Sequence, residues 1–322
     1  MRLGSRASAL ALAQAELVAR LLGAGASGDP QEVEIVPIVT RGDRESAGVD
    51  DTAGELAGDG RPGEPPPGED KSRWVSELER GLLEGEIDVA VHSAKDVPGE
   101  LAEGLVIAAA PPRAGAEDVL CGADGVDALT PGARIGTSSV RRIAQLRAAR
   151  EELDVVQLHG NVDTRLRRLA NGELDAIVLA RAGLQRLGRD DEVGAVLDVA
   201  TFVPAPGQGT LVLQSRAGDE PTARALQAIG DPDALACLLA ERALARALDA
   251  SCDSPLGAHA TISASAMRLR AWVGLPDGSA WIVDERDGDA HTPQALASDV
   301  ARRMQLAGAG AILQAAAGAA VR

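Results

Sequence analysis

The 322-residue chain has no tyrosine, one phenylalanine (Phe202) and three tryptophans (Trp74, Trp272, Trp281). Its hydrophobic fraction of 45% is mostly Ala, Leu and Val, so its cores must be aliphatic. So few rings argue against a surface of stacked bases, on which single-stranded nucleic-acid binders rely. Positive charge is scarce too. Against 48 Asp and Glu stand 32 Lys and Arg, and the formal net charge of −16 repels a phosphate backbone. Nucleic acid is therefore not an expected partner, whereas a small anion is admissible, because a local arginine pocket can override the global field. Three scattered cysteines (Cys121, Cys237, Cys252) are too few for a disulfide framework or a zinc site. No metal is expected, and a reducing compartment is. No stretch reaches membrane-spanning length. The opening residues 1–23 are basic and Ala/Leu-rich, but Gln14, Glu16 and Arg20 interrupt them as the core of a signal peptide would not be interrupted. Those three fit the polar face of an amphipathic helix capped near Ser5 or Ser8. The expectation is a soluble, cytoplasmic protein with room for two or three domains.

What is present is an alternation of short β-rich and helical runs. Residues 34–40, 87–92, 155–158 and 176–180 read as strands, and 74–83 and 164–170 as helical. This pattern predicts an α/β fold with largely parallel sheets. The segment 49–70, rich in Pro, Gly and acid, reads as a surface loop. One internal echo stands out: Gly-Glu-(Ile/Leu)-Asp separates a helical run from a buried strand at both 85–88 and 172–175. Turn chemistry or chance could produce it; if it is structural, it implies two similar lobes. From about Pro232 the character changes. A helix over 234–248 leads to a loop bearing Cys252, then to antiparallel strands over 269–273 and 279–284 around a Pro276–Gly278 turn, then to a helix over 293–306.

Several strand ends carry reactive side chains. Ile135-Gly136-Thr137-Ser138-Ser139-Val140-Arg141-Arg142 reads as a strand end, a turn, three hydroxyls and a helix start with two arginines. A helix N-terminus offers free N–H groups to an anion, and guanidinium forks grip carboxylates in a bidentate way. An ordinary cap followed by solvated arginines has the same appearance. Ser93-Ala94-Lys95-Asp96 follows a buried strand directly, so Lys95 and Asp96 form either an exposed ion pair or a cleft carboxylate with a neighbouring cation. His159-Gly160-Asn161-Val162-Asp163-Thr164-Arg165 is another strand-to-helix junction, where Asp163 can cap the helix and Arg165 can face the same crevice. Cys252 is either a buried small hydrophobe or, among turn residues, an accessible thiol.

Together these segments resemble the hydroxymethylbilane synthase family, also called porphobilinogen deaminase. The resemblance runs almost end to end through GSRASALALAQ, VTRGDR, DVAVHSAKDVP, GTSSVRR, GNVDTRL, LDAIVLARAGLQRLG, PGQG and SCDSPLGA. It implies an α/β fold of two periplasmic-binding-protein-like lobes plus a small α+β C-terminal domain. The expected domains are 1–112 with 210–228, then 113–205, then 232–322 carrying the cofactor cysteine. It implies a dipyrromethane primer joined by a thioether to Cys252, on which four porphobilinogen molecules are deaminated and linked head to tail. Hydroxymethylbilane is then released. The partners are porphobilinogen and the growing pyrrole chain, and the expected state is a monomer. Asp96 matches the catalytic carboxylate, which would stabilise the cation left when ammonia departs. Ser93, Lys95, Thr137, Ser139, Arg141, Arg142 and Asp43 match cofactor-binding positions. Arg6, Arg165, Gln208, Lys71, Trp74 and His159 match substrate-binding positions. The chemistry agrees: every pyrrole brings acetate and propionate arms, and each good charged hydrogen bond to them contributes roughly 1.5–3 kcal/mol.

The chain departs from the family pattern in places. His159 stands where the family has arginine, Trp74 replaces phenylalanine near Lys71, the loop before them is longer than usual, and Ala250-Ser251 replaces a glycine pair before Cys252. Two other readings are open to the sequence. A non-catalytic binder of a small carboxylate would explain the lobes but not Asp96 with Cys252. A thiol enzyme would want a histidine base, and only His259 lies near Cys252 in sequence.

Overall fold

The structure, a computed structural model, describes residues 1–24, 32–40, 76–251 and 253–320. The chain opens in one lobe with β1 (Arg2–Arg6), α1 (Ala9–Gly23), β2 (Glu34–Ile38), α2 (Ser76–Leu83), β3 (Val89–Ser93) and β4 (Leu105–Ala109). It crosses to a second lobe built from β5 (Asp118–Cys121), β6 (Arg134–Gly136), α3 (Val140–Ala149), β7 (Asp154–Val156), α4 (Val162–Ala170), β8 (Ala176–Ala180), α5 (Arg181–Arg186) and β9 (Ala195–Val196). It then returns with β10 (Leu211–Arg216), which inserts between β3 and β4 before α6 (Glu220–Gln227).

The two five-stranded sheets have orders β2-β1-β3-β10-β4 and β7-β6-β8-β5-β9. The sheets are mixed rather than largely parallel. β1 runs parallel to β2 and β3, and β6 to β7 and β8, but β10 is antiparallel to both its neighbours and so is β5. The reason is the double crossing: a strand entering from the other lobe has no crossover helix to reverse it, so it pairs in the opposite sense.

The Gly-Glu-(Ile/Leu)-Asp echo is structural. Gly85 and Gly172 follow α2 and α4 with φ of 73° and 71°, a left-handed conformation that glycine adopts without a Cβ penalty. Asp88 and Asp175 then accept from the backbone N–H groups of Arg2 and Arg134, both at 2.7 Å, at the first residues of β1 and β6. The same turn thus locks a helix to β1 in one lobe and to β6 in the other.

α1 starts at Ser8, whose hydroxyl accepts from the Ala11 N–H at 3.4 Å. Its buried stripe is Ala11, Gln14, Ala15, Val18 and Leu22. Gln14 therefore lies on the buried side, not with the exposed Glu16 and Arg20 as the sequence suggested. It stays there because it has a hydrogen-bond partner in the neighbouring strand, described below.

The C-terminal part packs α7 (Pro232–Ala247), α8 (Pro293–Leu306) and α9 (Ala309–Ala320) against an antiparallel meander of β11 (Leu256–Ser263), β12 (Ala266–Gly274) and β13 (Trp281–Asp289). Its core is aliphatic, including Leu244, Leu269, Val273, Val300 and Met304. Trp272 faces outward from this sheet and buries against Ala144 and Val203 of the second lobe. At the Pro276–Gly278 turn, Gly278 has φ 76° and lies so close to α3 that an added Cβ would stand 2.5 Å from the Ala148 nitrogen. No helix among the described residues is long and apolar enough to cross a membrane.

Candidate active site

β1 and β3 are parallel neighbours, so their carboxyl ends open side by side, where ligands bind in such sheets. Arg6 closes β1, Ser93 closes β3, and past it a 3-10 turn, Ala94–Asp96, carries Lys95 and Asp96. Arg6, Ser8, Gln14, Ser93 and Asp96 line one pocket. Gln14 Nε2 donates to Ser93 Oγ at 3.0 Å, and the Ala94 N–H donates to the Thr210 carbonyl at 3.0 Å, so α1 and the returning chain both fix this strand end.

His92 is buried one residue before Ser93, its Nε2 3.0 Å from Gln214 Oε1. Gln214 spends its amide nitrogen on Glu79 at 2.9 Å, so its oxygen must accept and the histidine must donate from Nε2. Burial pushes the His92 pKa down to about 4, against the opposing pull of Gln214 and Asp96, and the imidazole is neutral. The sign follows from linkage. The unfolded chain takes up this proton below the ordinary value of 6.5 while the folded protein resists it, so stability falls as pH falls from there to about 4. Urea unfolding should show a loss of about 2 kcal/mol on going from about pH 7 to about pH 5. His92→Gln should flatten that slope; an unchanged slope would assign the acid sensitivity to other groups.

In the second lobe, Gly136 ends β6 where an added Cβ would stand 2.7 Å from both Leu158 and Leu174, so a larger residue would have to displace these two core side chains. Thr137 is fully buried, and its hydroxyl accepts from the Ser139 N–H at 3.2 Å at the start of α3. Arg141 and Arg142 point into the lobe, not into solvent. Both grip the buried Asp118 at the start of β5, each at 2.7 Å. Arg141 also donates to the Val203 carbonyl at 2.9 Å and Arg142 to the Val178 carbonyl at 3.0 Å. The two guanidinium groups overcome the burial of Asp118 and hold its carboxyl well below the usual range.

Arg165 on α4 donates to the Gly160 carbonyl at 2.8 Å and to Ser138 Oγ at 3.3 Å. Burial, with the charge of Arg142 nearby, pushes its pKa down to about 10. Among the described residues it has no carboxylate partner. One aspartate thus answers two arginines while a third stands beside them, and this end of the lobe carries surplus positive charge suited to carboxylates. α4 is capped by Asn161, which accepts from the Thr164 N–H at 2.9 Å. Asp163, expected as the cap, pairs with Arg189 at 3.0 Å instead, because it already lies inside the helix. His159 is exposed just before this cap.

Gln208, in the segment returning to the first lobe, joins the aspartate cluster by donating to Asp118 at 2.9 Å and to the Ala116 carbonyl at 2.6 Å. Its own carbonyl accepts from Arg113 Nε at 2.9 Å. Arg113 pairs with the fully buried Glu241 of α7 at 2.7 Å, and Glu241 also accepts from the backbone N–H groups of Gly207 and Ala260. Both crossings and the C-terminal sheet therefore meet on one carboxylate.

Comparison with known proteins gives this architecture a family. Residues 1–224 match the family described as "Porphobilinogen deaminase, dipyromethane cofactor binding domain", and residues 235–305 match "Porphobilinogen deaminase, C-terminal domain". The chain belongs to the porphobilinogen deaminase family. Its relatives include porphobilinogen deaminases of Thiobacillus denitrificans (40% identical, covering 98% of each chain) and Deinococcus deserti (41% identical, covering 97% of each). That of Leifsonia xyli is 41% identical over 94% of this chain and 90% of its own. Among solved structures, the periplasmic VFT2 domain of Bordetella pertussis BvgS overlaps 66% of this chain and 75% of its own at 17% identity and a TM-score of 0.35, too loose a likeness to bear on function.

The family's dipyrromethane cofactor-binding domain, matched over residues 1–224, spans both lobes. Arg6, Ser93, Lys95 and Asp96 lie together at one lobe's strand ends, and Thr137, Ser139 and Arg165 at the other's. Arg141, Arg142 and Gln208 are engaged with Asp118. Asp43, Lys71, Trp74, Cys252 and the loop 49–70 lie outside the described residues. Asp118 and the Arg113–Glu241 pair escaped the sequence reading, which placed Gln14 on the polar face of α1. Gln14 had a signal, a polar residue on the apolar stripe of α1; Asp118 had none, since its partners lie 23 and more positions away.

Proposed function

We propose that the chain is a hydroxymethylbilane synthase, a transferase that deaminates porphobilinogen and joins four units head to tail on a dipyrromethane primer attached by a thioether to Cys252. The observation that carries this reading is the surplus guanidinium charge of Arg141, Arg142 and Arg165 around the single Asp118. A site for an oligomer that gains two carboxylates per unit needs cations that no protein carboxylate fully neutralises. The primer supplies the nucleophilic pyrrole carbon on which the chain grows.

The residues of this chain take the remaining roles. Arg6 and Arg165 bind the carboxylate arms, with Thr137, Ser138 and Ser139 adding donors. Asp96 faces the cation left on the substrate when ammonia departs, and receives a pyrrole N–H. Neutral His92 adds no positive charge where that cation develops. Gln14 and Ser93 fix the strand end that presents Asp96. Asp118 holds Arg141 and Arg142 at the edge of the crevice and limits their mutual repulsion. The enzyme works in the cytoplasm as a monomer, in which 1–112 with 210–228, 113–205 and 232–322 form the three domains.

Turnover of porphobilinogen tests the reading: four molecules consumed per linear tetrapyrrole released are expected, and binding without consumption would contradict it. His159→Arg adds a permanent, forked cation at an exposed position beside α4. It is expected to lower KM for porphobilinogen about 2- to 5-fold, the worth of one exposed charged contact. An unchanged KM would place His159 away from the bound arms.

A further inference from the structure

We propose that Arg242 is a positioning residue for Asp96, an inference that rests on the reading of Asp96 as the carboxylate of the deaminase site. Asp96 is followed by Val97, Pro98 and Gly99. Proline has no N–H and restricts the residue before it, and Val97 is extended at φ −82°, ψ 125°, so this exit strand cannot pair as a regular ladder. Its carbonyls are instead gathered by a side chain from the C-terminal part. Arg242 Nη1 donates to the Val97 carbonyl at 3.0 Å, and its Nη2 donates to those of Pro98 and Gly99 at 2.6 and 3.0 Å. Arg246, one turn on, adds a bond to Gly99 at 3.3 Å. Arg242 is buried, with 7% of its surface exposed.

The same face of α7 holds the other side of the turn. Leu238 packs with Ala94, Val97 and Val212, and Glu241 accepts from the Gly207 N–H. Leu238, Glu241 and Arg242 are spaced i, i+3 and i+4, so one helix face carries all three contacts. The turn that bears Asp96 is thereby fixed from below by β10 and from its exit by α7, the helix that leads in sequence to the cofactor cysteine. The carboxylate acts on charge that develops during reaction, whereas Arg6 and Arg165 hold the arms of bound substrate. Loss of the Arg242 clamp should therefore move Asp96 without disturbing the arginines, and so lower kcat and spare KM.

The test compares full-length, primer-loaded protein with Arg242→Gln and Arg242→Lys. Arg242→Gln is expected to lower kcat about 100-fold, the cost of a displacement near 1 Å, with KM within about 2-fold of the parent. Arg242→Lys, which supplies donors without the fork, should fall between the two. A folded, primer-loaded Arg242→Gln protein with the parent's kcat overturns the proposal, and so does one that changes KM as much as kcat. Should the glutamine variant not fold, Arg242→Lys decides by the same readouts: a lowered kcat at unchanged KM supports the proposal, and the parent's kcat overturns it. A parent protein that does not turn over porphobilinogen contradicts the deaminase reading itself, a result distinct from any difference between parent and variant.

Discussion

Asp96→Asn is expected to lower porphobilinogen turnover about 1,000-fold, within the range spanned by loss of a general acid–base group or a charge aimed at the transition state. The substitution keeps the shape of the side chain and removes its charge. The backbone that presents it is held independently of that charge, through Ala94 to Thr210, Val97 to Ala94, and Arg242 to the carbonyls beyond. The fold should survive, with thermal unfolding unchanged to within about 2 °C. A stopped assay for pyrrole consumption at saturating substrate gives the answer. Turnover within about tenfold of the parent would mean that some other group stabilises the cation left when ammonia departs.

Asp118→Ala is expected to destabilise the protein by about 3–5 kcal/mol, the cost of leaving buried charges without their partner. Asp118 is fully buried, and its two oxygens serve Arg141, Arg142 and Gln208 at once. Its loss leaves two guanidinium groups facing each other and removes one of the bonds that hold the returning segment at Gln208. Urea unfolding at neutral pH measures the effect, and a change below about 1 kcal/mol would show that water or a shift of the arginines compensates. The acid dependence has a defined sign. The folded carboxyl is held below its ordinary value of 3.8, so the stabilisation is complete above that value and is lost as pH falls through the folded one. Asp118→Ala should therefore be less sensitive to strong acid than the parent. It should also weaken the site, because Arg141 and Arg142, which match cofactor-binding positions, lose the group that orients them.

Much of this arrangement could be read from the sequence, and the parts that could not share a cause. The echo at 85–88 and 172–175 pointed to paired lobes because helix-to-strand turns are encoded locally, in a glycine and an aspartate three positions apart. The helices ending near 247 and 306 and the hairpin around Gly278 were legible for the same reason. The strand ends carrying Asp96 and Thr137 followed from motif and pattern together. The sense of β5 and β10 was not legible, because it is set by where the chain returns after visiting the other lobe. Nor was the state of Arg141 and Arg142: the motif shows two arginines at a helix start, but their partner Asp118 belongs to another strand. Gln14 was read onto the polar face of α1, because the partner that holds it on the buried side, Ser93, is contributed by β3.

The central claim is that Cys252 carries a dipyrromethane primer from which the tetrapyrrole grows. Intact mass of the denatured, freshly purified protein tests it most directly. The account predicts a mass above that of the bare chain by two linked pyrrole units, absent in Cys252→Ser. The bare chain mass, persisting after incubation with porphobilinogen and with preformed hydroxymethylbilane, would contradict it.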